Sequence, residues 1–262
     1  MNRISDFPLL VFALSFVGLW LSAKIGGSIR DRKRNKEEED REDFDTIMAA
    51  TLTLLALIIG FSFSMAVNRY DQRKNYEEAE ANAIGTEYVR VDFLPSADAA
   101  NARALLKNYL DQRILFYDTR VSFYSASGSR QLQQIDATTA QLQNDLWAVM
   151  QAPAVAQPTP IVALVASGMN DVLNSQGYTQ AAWLYRIPRE AWLLMGFIAI
   201  FCNLMIGYGS RRVRAKGSLF LVIPLVVSIS FFLIADIDSP RSGIIRVHPV
   251  NLTSLSQSLN GH

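Results

Sequence analysis

The chain alternates between uncharged, apolar windows and longer polar stretches. Four windows carry no charged residue, namely 7–23, 46–68, 191–210 and 217–235, and they are 17, 23, 20 and 19 residues long. About 20 apolar residues are enough for an α-helix to cross a ~30 Å hydrocarbon core. The pattern therefore predicts four transmembrane helices, over about residues 7–25, 46–68, 191–210 and 217–235, and we expect Pro224 to kink the fourth.

The polar stretch between the second and third windows has the periodicity of amphipathic helices. Few helix breakers occur between Arg69 and Phe93, so the second helix is predicted to run on until Leu94-Pro95-Ser96. Further helices are predicted over 99–120 and 161–184, with a proline-rich linker at 151–160. Between them, apolar positions recur at steps of three and four, which indicates a seam facing another helix. The seam consists of Leu132, Ile135, Thr139, Leu142, Leu146 and Val149.

These elements predict an all-α integral membrane protein. Two transmembrane hairpins, 1–68 and 191–238, flank a helical extramembrane bundle at 69–190, and 239–262 forms a C-terminal tail. The basic cluster after the first window resembles a stop-transfer signal, which favours a retained anchor over a cleaved signal peptide. The predicted location is a bacterial inner membrane or a plasma membrane.

Composition narrows the function classes. Of 262 residues 50% are hydrophobic, and the formal net charge of +1 gives no bulk field for nucleic acid. One Cys excludes an intramolecular disulfide, and two His leave little for a zinc site. The sequence contains no G-x-S-x-G, H-E-x-x-H, Walker or C-x-x-C motif. We therefore predict a protein that is not an enzyme and has no cofactor or metal.

A few single residues could still carry chemistry. Asp236 and Asp238 directly follow the fourth window, where they either flank a membrane helix or gather a hard cation; we expect the first. His248 is expected at the surface, and Cys202 is expected to act as a small hydrophobic residue.

Basic residues predict the orientation, because Lys- and Arg-rich short loops stay in the cytoplasm. Both short hairpin loops are rich in Arg and Lys. Both are predicted to be cytoplasmic, with the termini and the 69–190 bundle outside.

The second window carries a stripe of mostly small or hydroxyl-bearing residues, here called the hydroxyl stripe. It consists of Thr46, Ala50, Thr53, Leu57, Gly60, Ser64 and Val67, at alternating steps of four and three. Such a surface favours close helix packing with hydroxyls bonded across helices. It also suits a pore wall, in which hydroxyls are wetted and a ring such as Phe61 forms a dewetting constriction. Of these two interpretations, the stripe alone favours packing.

Three stretches resemble a known family. They are LIIGFSFSMAVNRYDQR at 57–73, EAEANAIGTEY at 78–88 and PRSGIIR at 240–246, and they are similar to the bestrophin-like family of unknown function. Gly60-Phe61, followed eight positions after the phenylalanine by Arg69 and then Tyr70, also resembles the second membrane helix of the bestrophin anion channels.

The more distant resemblance implies a homo-oligomer, pentameric in bestrophins, with the second helix lining a central anion pore. The bestrophin neck has three apolar rings, whose positions here are Thr53, Leu57 and Phe61, and Thr53 departs from the apolar pattern. Pro240 and Gly243 keep the outline of the bestrophin turn after the fourth helix, but the acidic run is missing, so no calcium clasp is predicted. Bestrophins keep the segment between spans two and three in the cytosol, whereas the local charges here favour the outside.

Two functional hypotheses follow. The first is an oligomeric ion channel, anion-conducting, whose partners are the lipid bilayer, further copies of the chain and inorganic anions such as chloride. Its pore is predicted to be lined by Thr46, Thr53, Leu57, Gly60, Phe61 and Ser64, with Asn68 and Arg69 at its mouth. The alternative is a non-conducting membrane-anchored structural or sensing protein whose helical bundle binds a partner, which the seam and the absence of catalytic motifs suggest.

Overall fold

The computed structural model describes residues 6–32, 40–120, 127–209 and 221–261. Within these ranges the regular secondary structure is helical and no strand occurs, which confirms the predicted all-α class. The helices are α1 (Pro8–Arg32), α2 (Asp40–Arg90), α3 (Ser96–Asp118), α4 (Ser127–Ala156), α5 (Pro160–Leu184), α6 (Arg189–Gly209), α7 (Val222–Asp238) and α8 (Val250–Asn260). The 3-10 turn Val91–Phe93 ends α2 just before Pro95, so the predicted extension of the second helix is confirmed.

The chain folds into two compact units. The first comprises Met1–Asn68 and Arg186–Ile245, and the second comprises Arg69–Tyr185 and Arg246–His262. The boundary between Asn68 and Arg69 lies inside α2, so this helix contributes its first half to one unit and its second half to the other. The segment that the sequence suggested was a tail includes α8, which belongs to the second unit.

Three helical segments among the described residues are long and apolar enough to cross a membrane: Pro8–Ile29, Asp43–Phe93 and Pro160–Gly209. The predicted fourth span corresponds to α7, which is 17 residues long and rises by about 25 Å. Four spans therefore remain a prediction.

Two predictions about prolines are wrong. Pro224 does not interrupt the fourth apolar helix, because α7 begins at Val222 and Pro224 lies in its first turn, where the missing N–H has no helical partner to lose. The linker predicted at 151–160 is shorter, since α4 continues to Ala156 with Pro153 inside it.

Close approach of α1 and α6 organises the first unit. A Cβ atom added at Gly26 would collide with the carbonyl oxygen of Leu204, and one added at Gly207 would collide with that of Ala23. The hydroxyl of Ser22 donates a 2.7 Å hydrogen bond to the carbonyl of Ile200. Small residues let the two backbones touch, as is common in membrane helix packing.

The predicted seam is part of the core of the second unit. Ile135, Thr139 and Leu146 are buried, and Leu132, Leu142 and Val149 pack against the same cluster. The cluster includes Leu106 and Tyr109 of α3, so the helix that this seam faces lies in the same chain.

Two buried glutamates of α2 fasten other helices of the second unit. The carboxylate of Glu77 accepts hydrogen bonds from the backbone N–H groups of Asn251 (2.9 Å) and Leu252 (3.0 Å) and from the Asn251 amide (2.6 Å), at the first turn of α8. Glu80 pairs with Arg113 of α3, both side chains being fully buried, and also accepts hydrogen bonds from Tyr117 (3.2 Å) and Thr179 (3.1 Å). Buried carboxylates are tolerated when donors surround them in this way.

Candidate functional site on helix α2

The apolar part of α2 presents two different sides within its own chain. Leu55 (2% exposed), Ser62 and Ala66 are buried, and they recur at the helical spacing of one packed face. Leu57 (53%) and Phe61 (64%) are among the most exposed large apolar side chains of the helix. One side of α2 thus packs in its own unit while the other faces outward.

The predicted site residues lie on the outward side. The exposed ones are Thr46, Thr53, Leu57, Gly60, Phe61, Ser64 and Asn68, whereas Arg69 is half-buried. Ala50 of the hydroxyl stripe is exposed and Val67 is partly buried. Within one chain, therefore, the hydroxyl stripe is not used to pack against neighbouring helices.

Hydroxyl groups on this part of α2 bond back to their own helix. Thr53 donates a 2.9 Å hydrogen bond to the carbonyl of Ala49, and Thr51 donates a 2.7 Å bond to that of Ile47. Such bonds to the preceding turn satisfy a hydroxyl without a partner helix. The oxygen keeps acceptor capacity for water or a further donor.

The small size of Gly60 is likewise not needed inside the chain. A Cβ atom added there would meet nothing within 4 Å, in contrast to Gly26 and Gly207. Beside this position runs an apolar groove of about 420 Å³ between α2 and α7, lined by residues that include Ala56, Gly60 and Ser230. Gly60 thus borders open space in the single chain.

The packed side of α2 is the part of this surface that sequence reasoning described least well. Ser62 and Ala66 are not among the residues that the sequence pattern singles out. Their signal was available, because two small residues four positions apart are typical of a close helix contact in a membrane protein. Competing small residues on the other side of the helix hid it.

The two aspartates after the fourth window have a different role from the expected one. Both are buried, so the expectation that they merely carry charge out of the lipid is wrong. Asp236 accepts hydrogen bonds from the N–H groups of Ile244 (2.7 Å) and Ile245 (2.8 Å), and Asp238 accepts one from Ile187 (3.1 Å). Backbone donors hold both carboxylates in place. Asp236 fixes the turn that begins at Pro240, whereas Asp238 holds the segment that precedes α6.

Groups of three or more potential metal ligands do not occur among the described residues. His248 is exposed and Cys202 is buried in α6. Arg69 of the predicted pore mouth is half-buried, whereas Arg73, one turn later, is buried. Arg73 donates a 3.2 Å hydrogen bond to the carbonyl of Ala182 near the end of α5. Arg73 therefore has a structural role in the second unit.

Comparison with solved structures shows a shared fold. A mutant of the bacterial bestrophin homologue from Klebsiella pneumoniae is 12% identical with a TM-score of 0.64, over 97% of this chain and 98% of that chain. The same homologue solved by Zn-SAD phasing is 13% identical with a TM-score of 0.63, over 97% of both chains. A mutant described as a membrane protein is 12% identical with a TM-score of 0.63, over 99% of this chain and 98% of that one.

Curated proteins contain no match to this sequence. A family model described as a bestrophin-like domain, however, matches residues 9–252, which is nearly the whole chain. That range includes all three stretches that carry the resemblance at 57–73, 78–88 and 240–246. The chain is a membrane protein of the bestrophin-like family.

Proposed function

We propose that the chain assembles into a closed homo-oligomer, a pentamer by analogy with bestrophins, and conducts anions through a central pore lined by α2. The observation that carries the proposal is the exposure of the hydroxyl stripe in a chain that packs the other side of the same helix. Membership of the bestrophin-like family supports a channel as the class of function. The stripe supplies a surface that is not packed against other helices within the single chain.

The chemistry of the stripe suits a pore without a fixed charge. Hydroxyls at Thr46, Thr53 and Ser64 can wet the wall, while the rings formed by Leu57 and Phe61 would form an apolar constriction that gates by dewetting. No ionisable residue occurs between Asp45 and Arg69. Conduction would therefore depend on hydration and pore width, and Arg69 with Asn68 at the mouth would attract anions.

Packing between copies is compatible with the same proposal. Gly60, the small residues one turn away from it (Ala56 and Ser64) and the apolar groove beside it would allow the α2 helices of neighbouring copies to approach closely. The alternative of a non-conducting module whose bundle binds a partner loses one of its two motivations, because the seam is buried within the second unit. The absence of catalytic motifs in the sequence remains as the other. The proposed topology keeps four spans, with α7 as the fourth, and both hairpin loops in the cytoplasm.

Planar-bilayer recording of the purified full-length protein tests conduction. Wild-type protein should give a current whose reversal potential follows the chloride gradient. Phe61→Ala should change single-channel conductance or open probability, because it removes the exposed ring beside the hydroxyl stripe. Phe197→Ala is the matched control, since Phe197 is a similarly exposed phenylalanine on α6 (70%). Silent wild-type protein, or equal effects of both substitutions, would refute the proposed pore.

Mass measurement in detergent tests the assembly separately. Light scattering coupled to size exclusion should give an integral number of chains, five if the bestrophin analogy extends to stoichiometry. A monomer under conditions in which the protein stays folded would exclude a central pore lined by α2.

A further inference from the structure

Helix α2 carries three fully or almost fully buried glutamates, and one of them differs from the other two. Glu77 and Glu80 are surrounded by donors from α8, α3 and α5. Glu87 is fully buried as well, but both of its carboxyl oxygens lack a hydrogen-bond partner among the described residues. An ionised carboxylate without donors in a protein interior is costly, whereas a neutral carboxyl is tolerated far better.

The packing around Glu87 leaves a space for its carboxyl group. Gly168 of α5 lies directly against it: a Cβ atom at that position would collide with Oε2 of Glu87 and lie 2.7 Å from Nη1 of Arg90. Gly168 is buried, so the α5 backbone closes the site. Two helices thus meet at the carboxyl of Glu87, with no side chain between it and α5 at this point.

Charges near the site have opposing effects. Burial is the largest influence and raises the pKa of Glu87 to about 8; Arg90, three residues further along α2, lowers it, and Asp171 on α5 raises it. With its pKa raised in this way, the carboxyl group is mostly protonated at neutral pH. Electrostatics and geometry therefore agree that the site holds a proton.

We propose that Glu87 is a buried proton-binding site which couples the pH of the surrounding solution to the packing of α5 against α2. Ionisation leaves a charge that faces the α5 backbone without a hydrogen bond and is only partly offset by Arg90, and the site relaxes by admitting water or by separating α5 from α2. α2 is one uninterrupted helix from Asp40 to Arg90, so the same element carries both this site and the hydroxyl stripe. The site does not depend on whether the chain conducts ions.

The sign of the effect on stability follows from the raised pKa. The unfolded chain releases this proton near pH 4.5, whereas the folded chain keeps it until about pH 8. The contribution of Glu87 is therefore fully present below the lower value, is lost as pH rises between the two, and changes no further above the higher one. Wild-type protein should lose thermal stability over this window relative to Glu87→Gln, which cannot ionise.

Infrared difference spectroscopy of the full chain in lipid tests the protonation directly. The carbonyl band of a protonated carboxylic acid should disappear with a midpoint near pH 8 in wild-type protein and be absent from Glu87→Gln. Glu78→Gln is the matched control, because Glu78 is exposed on the same helix. A wild-type protein with no such band, or a band that persists in Glu87→Gln, would overturn the assignment.

Two neighbouring substitutions keep the test decisive even if Glu87→Gln does not fold. Arg90→Gln removes the group that lowers the pKa and should move the midpoint upward, whereas Asp171→Asn removes one that raises it and should move the midpoint downward. Shifts of the same sign, or no shift in either, would contradict the site.

Hydrogen exchange tests the coupling to α5. Protection factors of amides around Gly168, corrected for intrinsic base catalysis, should fall about tenfold or more as pH rises through the midpoint in wild-type protein, and stay constant in Glu87→Gln. Constant protection in wild-type protein while the carboxyl group titrates would overturn the coupling, because Glu87 would then bind a proton without any effect on the packing of α5.

Discussion

Removing the Glu77 carboxylate should release α8 locally without unfolding the rest of the second unit. Pro249 precedes α8 and supplies no side-chain hydrogen bond to its first turn. Glu77 takes that role from α2, with three hydrogen bonds between 2.6 and 3.0 Å to Asn251 and Leu252. The carboxylate also lies at the positive end of the α8 dipole, which adds to its effect. Glu77→Ala leaves these donors unpaired against a protein surface.

The magnitude can be worked from these contacts. Hydrogen bonds to a charged group contribute about 1.5–3 kcal/mol each, but three bonds to one carboxylate are not additive. A loss of about 3 kcal/mol is therefore expected, which corresponds to a roughly 100-fold increase in the population of the open state of α8. Detachment should remain partial, because Leu252 is buried and Lys107 donates a 2.7 Å hydrogen bond to the carbonyl of Leu259.

Hydrogen exchange monitored by mass spectrometry is the appropriate assay, since it reports α8 separately from the membrane helices. In Glu77→Ala, amides of 252–260 should exchange roughly 100-fold faster. Glu77→Gln should give an intermediate rate, because its neutral oxygen still accepts a hydrogen bond. Glu78→Ala, at the exposed next position, should leave the rate unchanged. Wild-type exchange rates in Glu77→Ala, or equal acceleration in Glu78→Ala, would refute this account of how α8 docks.

Two further predictions concern buried charge and helix contact. Arg113→Met should destabilise the detergent-solubilised protein by about 3–5 kcal/mol, because it leaves Glu80 buried without its cation. The double variant Glu80→Met with Arg113→Met should be destabilised less, because it removes both charges. Equal losses of stability in thermal denaturation would contradict this reasoning. Gly26→Ala should lower the melting temperature, since the added Cβ meets the carbonyl of Leu204, whereas Gly18→Ala, where nothing lies within 4 Å, should raise it slightly through helix propensity. A loss of the same size at Gly18 would show that the α1–α6 contact is not responsible.

Some parts of this structure could be predicted from local pattern. The uncharged windows and the seam at Leu132–Val149 report burial in lipid or in a core, and both follow from periodicity in one stretch of chain. The end of α2 before Pro95 follows from proline chemistry. By contrast, the two prolines do not act as their local sequence predicts. Pro224 lies in the first turn of α7, where proline is tolerated, and Pro153 lies inside α4 without ending that helix.

The candidate site shows the same division. The sequence marked the hydroxyl stripe, but it could not decide between packing within the chain and an outward face, because both need small, hydroxyl-bearing residues. Tertiary structure decided this for the single chain: Leu55, Ser62 and Ala66 take the packed side, and the stripe lies outside it.

By itself, then, the sequence determined the helical class, the apolar segments and the family, because hydropathy, periodicity and the Gly60-Phe61 motif are properties of contiguous residues. Only the tertiary structure decided which acidic side chains are buried and which groups they contact. The sequence does not distinguish the three buried glutamates of α2. In the structure Glu77 holds α8, Glu80 pairs with Arg113, and Glu87 is buried without a hydrogen-bond donor. Asp236, which looked like a helix flank, is a buried acceptor for two backbone amides. The physical reason is that the charge state and role of a buried group depend on donors that are brought to it from distant parts of the chain.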